Sequence, residues 1–244
     1  MCGIAGFNLS QKDKGCMTSR LIARAMLMRI VRRGEDATGM AWAQDDEVFY
    51  IKDDVPAYNF IPALDEMPRD ASNVILHTRW ATKGDPSNND NNHPIVLPDI
   101  VGVHNGHIAN DDFLFDLYQF ERKAEVDSEV IFHLLAQDEP LADLTFLEGR
   151  AAVGWIRVSD PNTLHLARLT GSPLTVAQTQ GGSLVFASTE PLLREAATIA
   201  RLKLTQVWDV PEWTYLRVID GRIVEMSDIL TGADLNAEPI SASI

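Results

Sequence analysis

The N-terminal stretch Met1-Cys2-Gly3-Ile4-Ala5-Gly6-Phe7 puts a cysteine directly after the initiator methionine and follows it with a short apolar run set between glycines. Two readings compete. In the first, Cys2 opens a buried strand, where free cysteine is often found. In the second, Met1 is removed and Cys2 becomes a nucleophile that carries its own base, the free α-amino group. These residues alone favour the strand, and the rest of the chain must decide.

The totals set the frame. The chain has 244 residues, of which 45% are hydrophobic and 23% charged, so it can bury a substantial core in one large domain or two small ones. A formal net charge of −14 argues against a nucleic-acid or anionic-membrane surface, since phosphate binding needs clustered Lys and Arg. Cys2 and Cys16 are the only cysteines, too few for a disulfide framework and without metal-ligand spacing. A reducing compartment suits such a chain. The N-terminus carries no basic-plus-apolar signal, and no apolar run reaches spanning length, so a cytoplasmic protein is expected.

Patterning gives many strands and a few helices. Residues 19–34 place Leu21, Ile22, Ala25, Met26 and Arg29 at helical spacing, with Gly34 as the C-cap. Residues 39–44 and 47–53 read as two strands joined at Asp45-Asp46, and residues 73–82 as a strand running into a loop. That loop, residues 83–94, is dense in Gly, Pro, Asn and Asp, and is expected to stay unpacked and to carry function. A strand over 100–106 ends in a turn, and helices follow over 111–120 and 127–137. The second half is mostly strands, with one helix over 190–202 and a hairpin turning at Asp220-Gly221. Such clusters suggest a layered α+β domain.

Several residues have a chemical reading beside a plainer one. Arg79, at a strand end, has a planar fork suited to a carboxylate, but it also reads as a surface arginine stacked on Trp80. Asn105-Gly106 reads as a hairpin turn; an Asn amide and the following N–H can equally converge on an oxyanion. Asp127 reads as a helix N-cap or as an acceptor for a substrate ammonium. His104 and His107 with His77 or His93 make a poor metal template, so no metal is expected. No phosphate-binding glycine loop occurs, and no cofactor is expected.

The order of these segments is more specific than any one of them. Residues 1–7, Arg32-Arg33-Gly34-Glu35-Asp36-Ala37-Thr38-Gly39, the run from His77 to Pro94, residues 104–110 and residues 126–134 together resemble class II glutamine amidotransferases, a group of N-terminal-nucleophile hydrolases. The likeness is to the glutaminase domain of glucosamine-6-phosphate synthase, and residues 160–174 and 184–191 extend it through the second half. It implies a four-layer α/β/β/α sandwich, with the domain over 1–226 and a C-terminal tail over 227–244.

The resemblance also implies roles. Cys2, exposed by loss of Met1, would attack the side-chain amide of L-glutamine. Asn105 and the Gly106 N–H would hold the oxyanion, Arg79 the substrate carboxylate and Asp127 its ammonium. Trp80 and Thr82 belong to the segment that closes over glutamine, and Arg33 and Gly34 to the turn behind the nucleophile. The chain departs from these relatives at Lys83, where they usually carry His, and at Glu35, where Tyr is common. The ammonia released would pass to a separate synthase. The alternatives are an N-terminal-nucleophile amidase for another amide, which the Arg79–Asp127 pair disfavours, and a non-catalytic subunit keeping the fold, which intact Cys2, Asn105 and Gly106 disfavour.

Overall fold

The computed structural model describes residues 1–14, 18–137 and 140–235. Cys16 and the last part of the tail lie outside them. Along the chain run β1 (Gly3–Asn8), α1 (Gln11–Lys14), α2 (Ser19–Ile30), β2 (Ala37–Gln44), β3 (Glu47–Asp53), α3 (Ala57–Phe60), β4 (Asn73–Arg79), β5 (Ile95–Val96) and β6 (Ile100–Ile108). There follow α4 (Asp111–Tyr118), α5 (Ser128–Leu135), α6 (Pro140–Asp143), β7 (Gly149–Arg157), β8 (Asp160–Arg168), β9 (Thr175–Thr179), β10 (Leu184–Ala187), α7 (Glu190–Ile199), β11 (Leu204–Asp209), β12 (Thr214–Ile219) and β13 (Arg222–Asp228).

The strands form two antiparallel sheets, ordered β11-β9-β10-β1-β4-β2-β3 and β13-β12-β8-β7-β6-β5. Three apolar cores separate four layers. One packs α2 and α7 on the first sheet through Met26, Leu27, Leu193 and Phe7. One fills the space between the sheets with Ile4, Ile75, Val103, Leu166 and Phe186. The third packs α5 and α4 on the second sheet through Phe132, Leu114 and Trp155. The four-layer α/β/β/α sandwich is therefore observed. β1 is central to the first sheet and is buried along its length, because Ile4 faces the inter-sheet core and Ala5 and Phe7 face the helices. Its first residue abuts Cys2, so the most constrained strand sets the position of the cysteine.

Several local expectations are corrected. Gly34 is no left-handed C-cap: its backbone is extended, φ −179° and ψ 139°, after a 3₁₀ turn over Val31–Arg33. Glycine is required there because a Cβ would lie 2.3 Å from the Arg79 carbonyl oxygen. The Asn105-Gly106 pair is not a turn. β6 runs straight through it, with Asn105 opposite Ala152 and Gly106 opposite Ala151. The polar loop after Lys83 does pack: Asn91, Asn92 and His93 are buried. Leu21 faces solvent instead of the helix core. The strand β11 and the short helical turns over residues 57–65 have no periodicity to announce them. β13 continues past residue 226, and Ile229 joins the third core.

Phe186, fully buried between the sheets, should be the least replaceable of the inter-sheet side chains. Phe186→Ala should destabilise the protein by about 3–5 kcal/mol, read as a lower urea midpoint at unchanged m-value.

Candidate active site

The site lies where the start of β1, the end of β4, the end of β6 and the start of α5 meet. Cys2, Arg79, Trp80, Thr82, Gly106 and Asp127 line one cavity of about 20 Å³, with Lys83 and His93 also on its wall. Arg33 and Asn105 adjoin it, and Gly34 packs beneath the Arg79–Trp80 backbone. Every site residue named from the sequence is thus brought to one place.

Arg33 organises the centre. Its Nε donates to the Cys2 carbonyl at 2.7 Å and its Nη2 to Asn105 Oδ1 at 3.4 Å. With Oδ1 held, Asn105 Nδ2 is a buried donor that has no acceptor among the described residues. Gly106 follows it, and a Cβ there would meet the Arg150 carbonyl oxygen at 1.8 Å and His104 Nε2 at 2.5 Å. Only glycine lets β6 lie this close to β7. Cys2 Sγ lies 3.7 Å from the Trp80 carbonyl oxygen. Burial pushes its thiol above the ordinary value of 9.0, against the downward pull of the chain-terminal ammonium and Arg79. As the chain stands, with Met1 in place, the Cys2 nitrogen is a peptide nitrogen and no base.

Arg79 is buried, not a surface partner of Trp80, which is 56% exposed. Its Nη1 donates to Asn92 Oδ1 at 2.9 Å, and its Nη2 to the carbonyls of Lys83 and Gly84 at 2.6 and 2.8 Å. This is why the polar loop packs: Asn92 is the partner that buries a guanidinium. Neither Arg33 nor Arg79 forms an ion pair with a carboxylate among the described residues. Two guanidinium groups with neutral hydrogen-bond acceptors therefore flank Cys2, while Asp36, Asp127 and Asp85 act on Arg79 through space.

Asp127 precedes α5 but makes no capping hydrogen bond. Its Oδ2 instead accepts the Ile108 N–H at 2.6 Å and faces His107 Nδ1 at 3.3 Å. Its Oδ1 carries no hydrogen bond among the described residues, and the side chain lines the cavity. Lys83 leaves the cavity wall to pair with Asp111 Oδ2 at 2.5 Å and Asp112 Oδ1 at 3.4 Å. Partial burial works against its charge, but the hydrogen bond and charge of Asp111 outweigh that and raise its pKa.

Behind the cavity stand three buried histidines. His77 Nε2 meets the His104 carbonyl at 3.1 Å and so ties β4 to β6 across the sheets. His93 stacks on His77 at 4.1 Å, and neither of its ring nitrogens has a hydrogen-bond partner among the described residues. His104 Nδ1 meets Ser128 Oγ at 2.8 Å. Among the described residues no group of three or more His, Cys, Asp or Glu is arranged to hold a metal ion. The place of His93 on the cavity wall was missed by the sequence reading; nothing in a run of Asn, Asp and Pro marks which residue turns inward.

Comparison with known proteins now bears on this geometry. Residues 77–195 match the glutamine amidotransferase domain family. Glutamine–fructose-6-phosphate aminotransferase (isomerizing) of Zymomonas mobilis is 31% identical over 249 aligned residues, covering 96% of this chain and 39% of that protein. The chain belongs to the class II glutamine amidotransferases. This amidotransferase chain spans about two fifths of the length of such relatives, the Aquifex aeolicus protein of the same name included, at 29% identity. The fold is shared with the solved glutamine phosphoribosylpyrophosphate amidotransferase of B. subtilis, at a TM-score of 0.75 and 17% identity over 93% of this chain and 49% of that one. No helix among the described residues is long and apolar enough to cross a membrane.

Burial pushes His77 down to about 3 and His93 well below 6.5. An unfolded histidine titrates near about 6.5. Between those values the unfolded chain binds protons that the folded amidotransferase refuses, so stability is full above the unfolded pKa and falls as pH drops through the window. Urea midpoints should decline from pH 7 to pH 4, and His93→Gln should flatten part of that decline.

Proposed function

We propose that the chain hydrolyses the side-chain amide of L-glutamine to glutamate and ammonia through a thioester on Cys2. The observation that carries the reading is the Asn105 amide: a buried donor without a partner, steadied by the same guanidinium that grips the Cys2 carbonyl. An unmet buried donor is unfavourable unless something arrives to accept from it. The accepting atom in this reading is the oxyanion formed when Sγ adds to the amide carbon.

The steps follow from the groups present. Loss of Met1 frees the Cys2 amine, which titrates near about 7.7–8.0 and so suits a general base at neutral pH. The amine takes the thiol proton as Sγ bonds to carbon, and the carbonyl π pair moves onto oxygen. Asn105 Nδ2 and the Gly106 N–H receive that charge. Collapse breaks the C–N bond, and the protonated amine passes its proton to the leaving ammonia. Water then adds to the thioester with the amine again as base, releasing glutamate and restoring the thiol. Arg79, with donors remaining at Nε and Nη1, holds the α-carboxylate. Asp127 Oδ1 takes the α-ammonium. Trp80 and Thr82 cover the amino acid, while Arg33 and Gly34 fix the turn that carries Cys2.

The curated relatives are named for transfer of the glutamine nitrogen to fructose-6-phosphate. By that analogy the ammonia made here goes to a synthase, in a reducing, cytoplasmic setting that suits an unprotected nucleophilic cysteine. Glutamate release from glutamine, followed enzymatically, tests the reading. Cys2→Ala should abolish it with circular dichroism unchanged. Asn105→Ala should lower kcat by roughly 10²-fold or more, since an oxyanion donor acts mainly in the transition state. Arg79→Ala and Asp127→Ala should each weaken kcat/KM by about 2–5 kcal/mol, as expected when one partner of a buried charged contact is lost. Wild-type turnover in Cys2→Ala would overturn the assignment.

A further inference from the structure

His107 adjoins the site and takes no part in the steps above. It follows Gly106 near the end of β6, and its Nδ1 stands 3.3 Å from Asp127 Oδ2. The two side chains differ in setting, His107 being 56% exposed and Asp127 only 9%. The ring is open to protons from solvent, while the carboxylate it faces is shielded. Among the described residues, His107 is the one basic side chain within ion-pair distance of Asp127. The contact is an ion pair only while the ring carries a proton. Histidine as a residue type changes charge between about pH 5 and 8.

The other charged groups near this ring are arranged differently. Arg150 lies opposite His107 on β7 and forms no ion pair among the described residues. His104, three residues back on β6, is pushed below its ordinary value of 6.5 by burial. Glu148, just before β7, is exposed. Asp111 and Asp112, at the start of α4, are held by Lys83 and Arg122. Asp127 is the carboxylate in contact with His107. Its Oδ2 is anchored by the Ile108 N–H, which fixes the plane of the group and leaves Oδ1 toward the cavity.

We propose that the protonation of His107 sets the affinity of the site for the α-ammonium of its amino-acid ligand. With the ring neutral, Asp127 offers its whole negative charge to the ammonium. With the ring protonated, the same carboxylate carries an imidazolium, which weakens its pull and repels the incoming cation. His107 is a positioning residue that acts through Asp127 and touches no reacting atom. The inference rests on the glutamine reading for the identity of the ligand, and it adds a control that the reading does not contain.

The test uses the full chain freed of Met1, with two readouts. Glutamine kinetics separate KM from kcat between pH 5.5 and 8.5. Calorimetry of L-glutamate binding to Cys2→Ala reports the ammonium contact without turnover. His107→Gln is a neutral reference, and His107→Lys supplies a fixed positive charge. At each pH the ratio of wild-type KM to that of His107→Gln cancels the titration of the Cys2 amine. That ratio should rise roughly three- to tenfold from pH 8 to pH 5.5, while kcat stays within about twofold. His107→Lys should bind glutamate roughly three- to tenfold more weakly than His107→Gln at every pH, and added salt should narrow that gap. A ratio that stays flat with pH, or equal glutamate affinity in His107→Lys and His107→Gln, would overturn the proposal and leave glutamine hydrolysis standing. If glutamate binding follows the charge at position 107 while no form releases glutamate from glutamine, the role of His107 stands and the hydrolysis reading fails.

Discussion

One guanidinium joins the two sheets at the site. Arg33 stands on a 3₁₀ turn after α2, grips the backbone of Cys2 at the head of β1, and reaches the Asn105 side chain on β6 of the opposite sheet. The nucleophile candidate and the oxyanion donor candidate belong to different layers, and their separation would otherwise depend on how the sheets pack. A single planar group fixes it instead. The His77–His104 contact repeats the device one strand further along, tying β4 to β6 behind the cavity. Pre-positioning of this kind is what makes a hydrogen-bond donor useful to a transition state.

Two guanidinium groups stand at this site within a chain of net charge −14. Arg33 is met by a carbonyl and an amide oxygen, and Arg79 by two carbonyls and an amide oxygen. Neutral acceptors satisfy the N–H groups, and the carboxylates that act on Arg79, those of Asp36, Asp127 and Asp85, do so without direct pairing. A site that must stabilise a thiolate and then an oxyanion gains from that choice. Lys83 is the contrast: it is paired directly with Asp111 and Asp112.

The layered fold was legible because strand and helix periodicity survive wherever one face is buried. Met26 and Ile22 on α2 and Leu193 on α7 follow their pattern, and the apolar runs of β7 and β8 are strands buried on both faces. The site was legible only through the order of its motifs, since each alone has an ordinary explanation. Asn105-Gly106 shows why. The pair has the composition of a turn, yet it lies inside a strand, because the approach of the Arg150 carbonyl demands glycine and the Arg33 fork demands an amide. Gly34 was misread for the same reason, its need being close backbone approach and not a left-handed φ. The burial of Asn91, Asn92 and His93 was not legible at all. Each has its own distant partner, Arg79 for Asn92, Glu125 for Asn91 and His77 for His93, a requirement that local polarity conceals.

The central claim is that Cys2 acts with its own amine as base, inside a frame set by Arg33, Asn105 and Gly106. The most direct measurement compares one protein before and after exposure of that amine. A form carrying an N-terminal extension that ends in a cleavable site just before Cys2 would be assayed for glutamate release, cleaved, checked by intact mass and assayed again. The account predicts no turnover before cleavage and turnover after it, because an acylated nitrogen has no basic lone pair while the thiol is untouched. Equal rates before and after would contradict it.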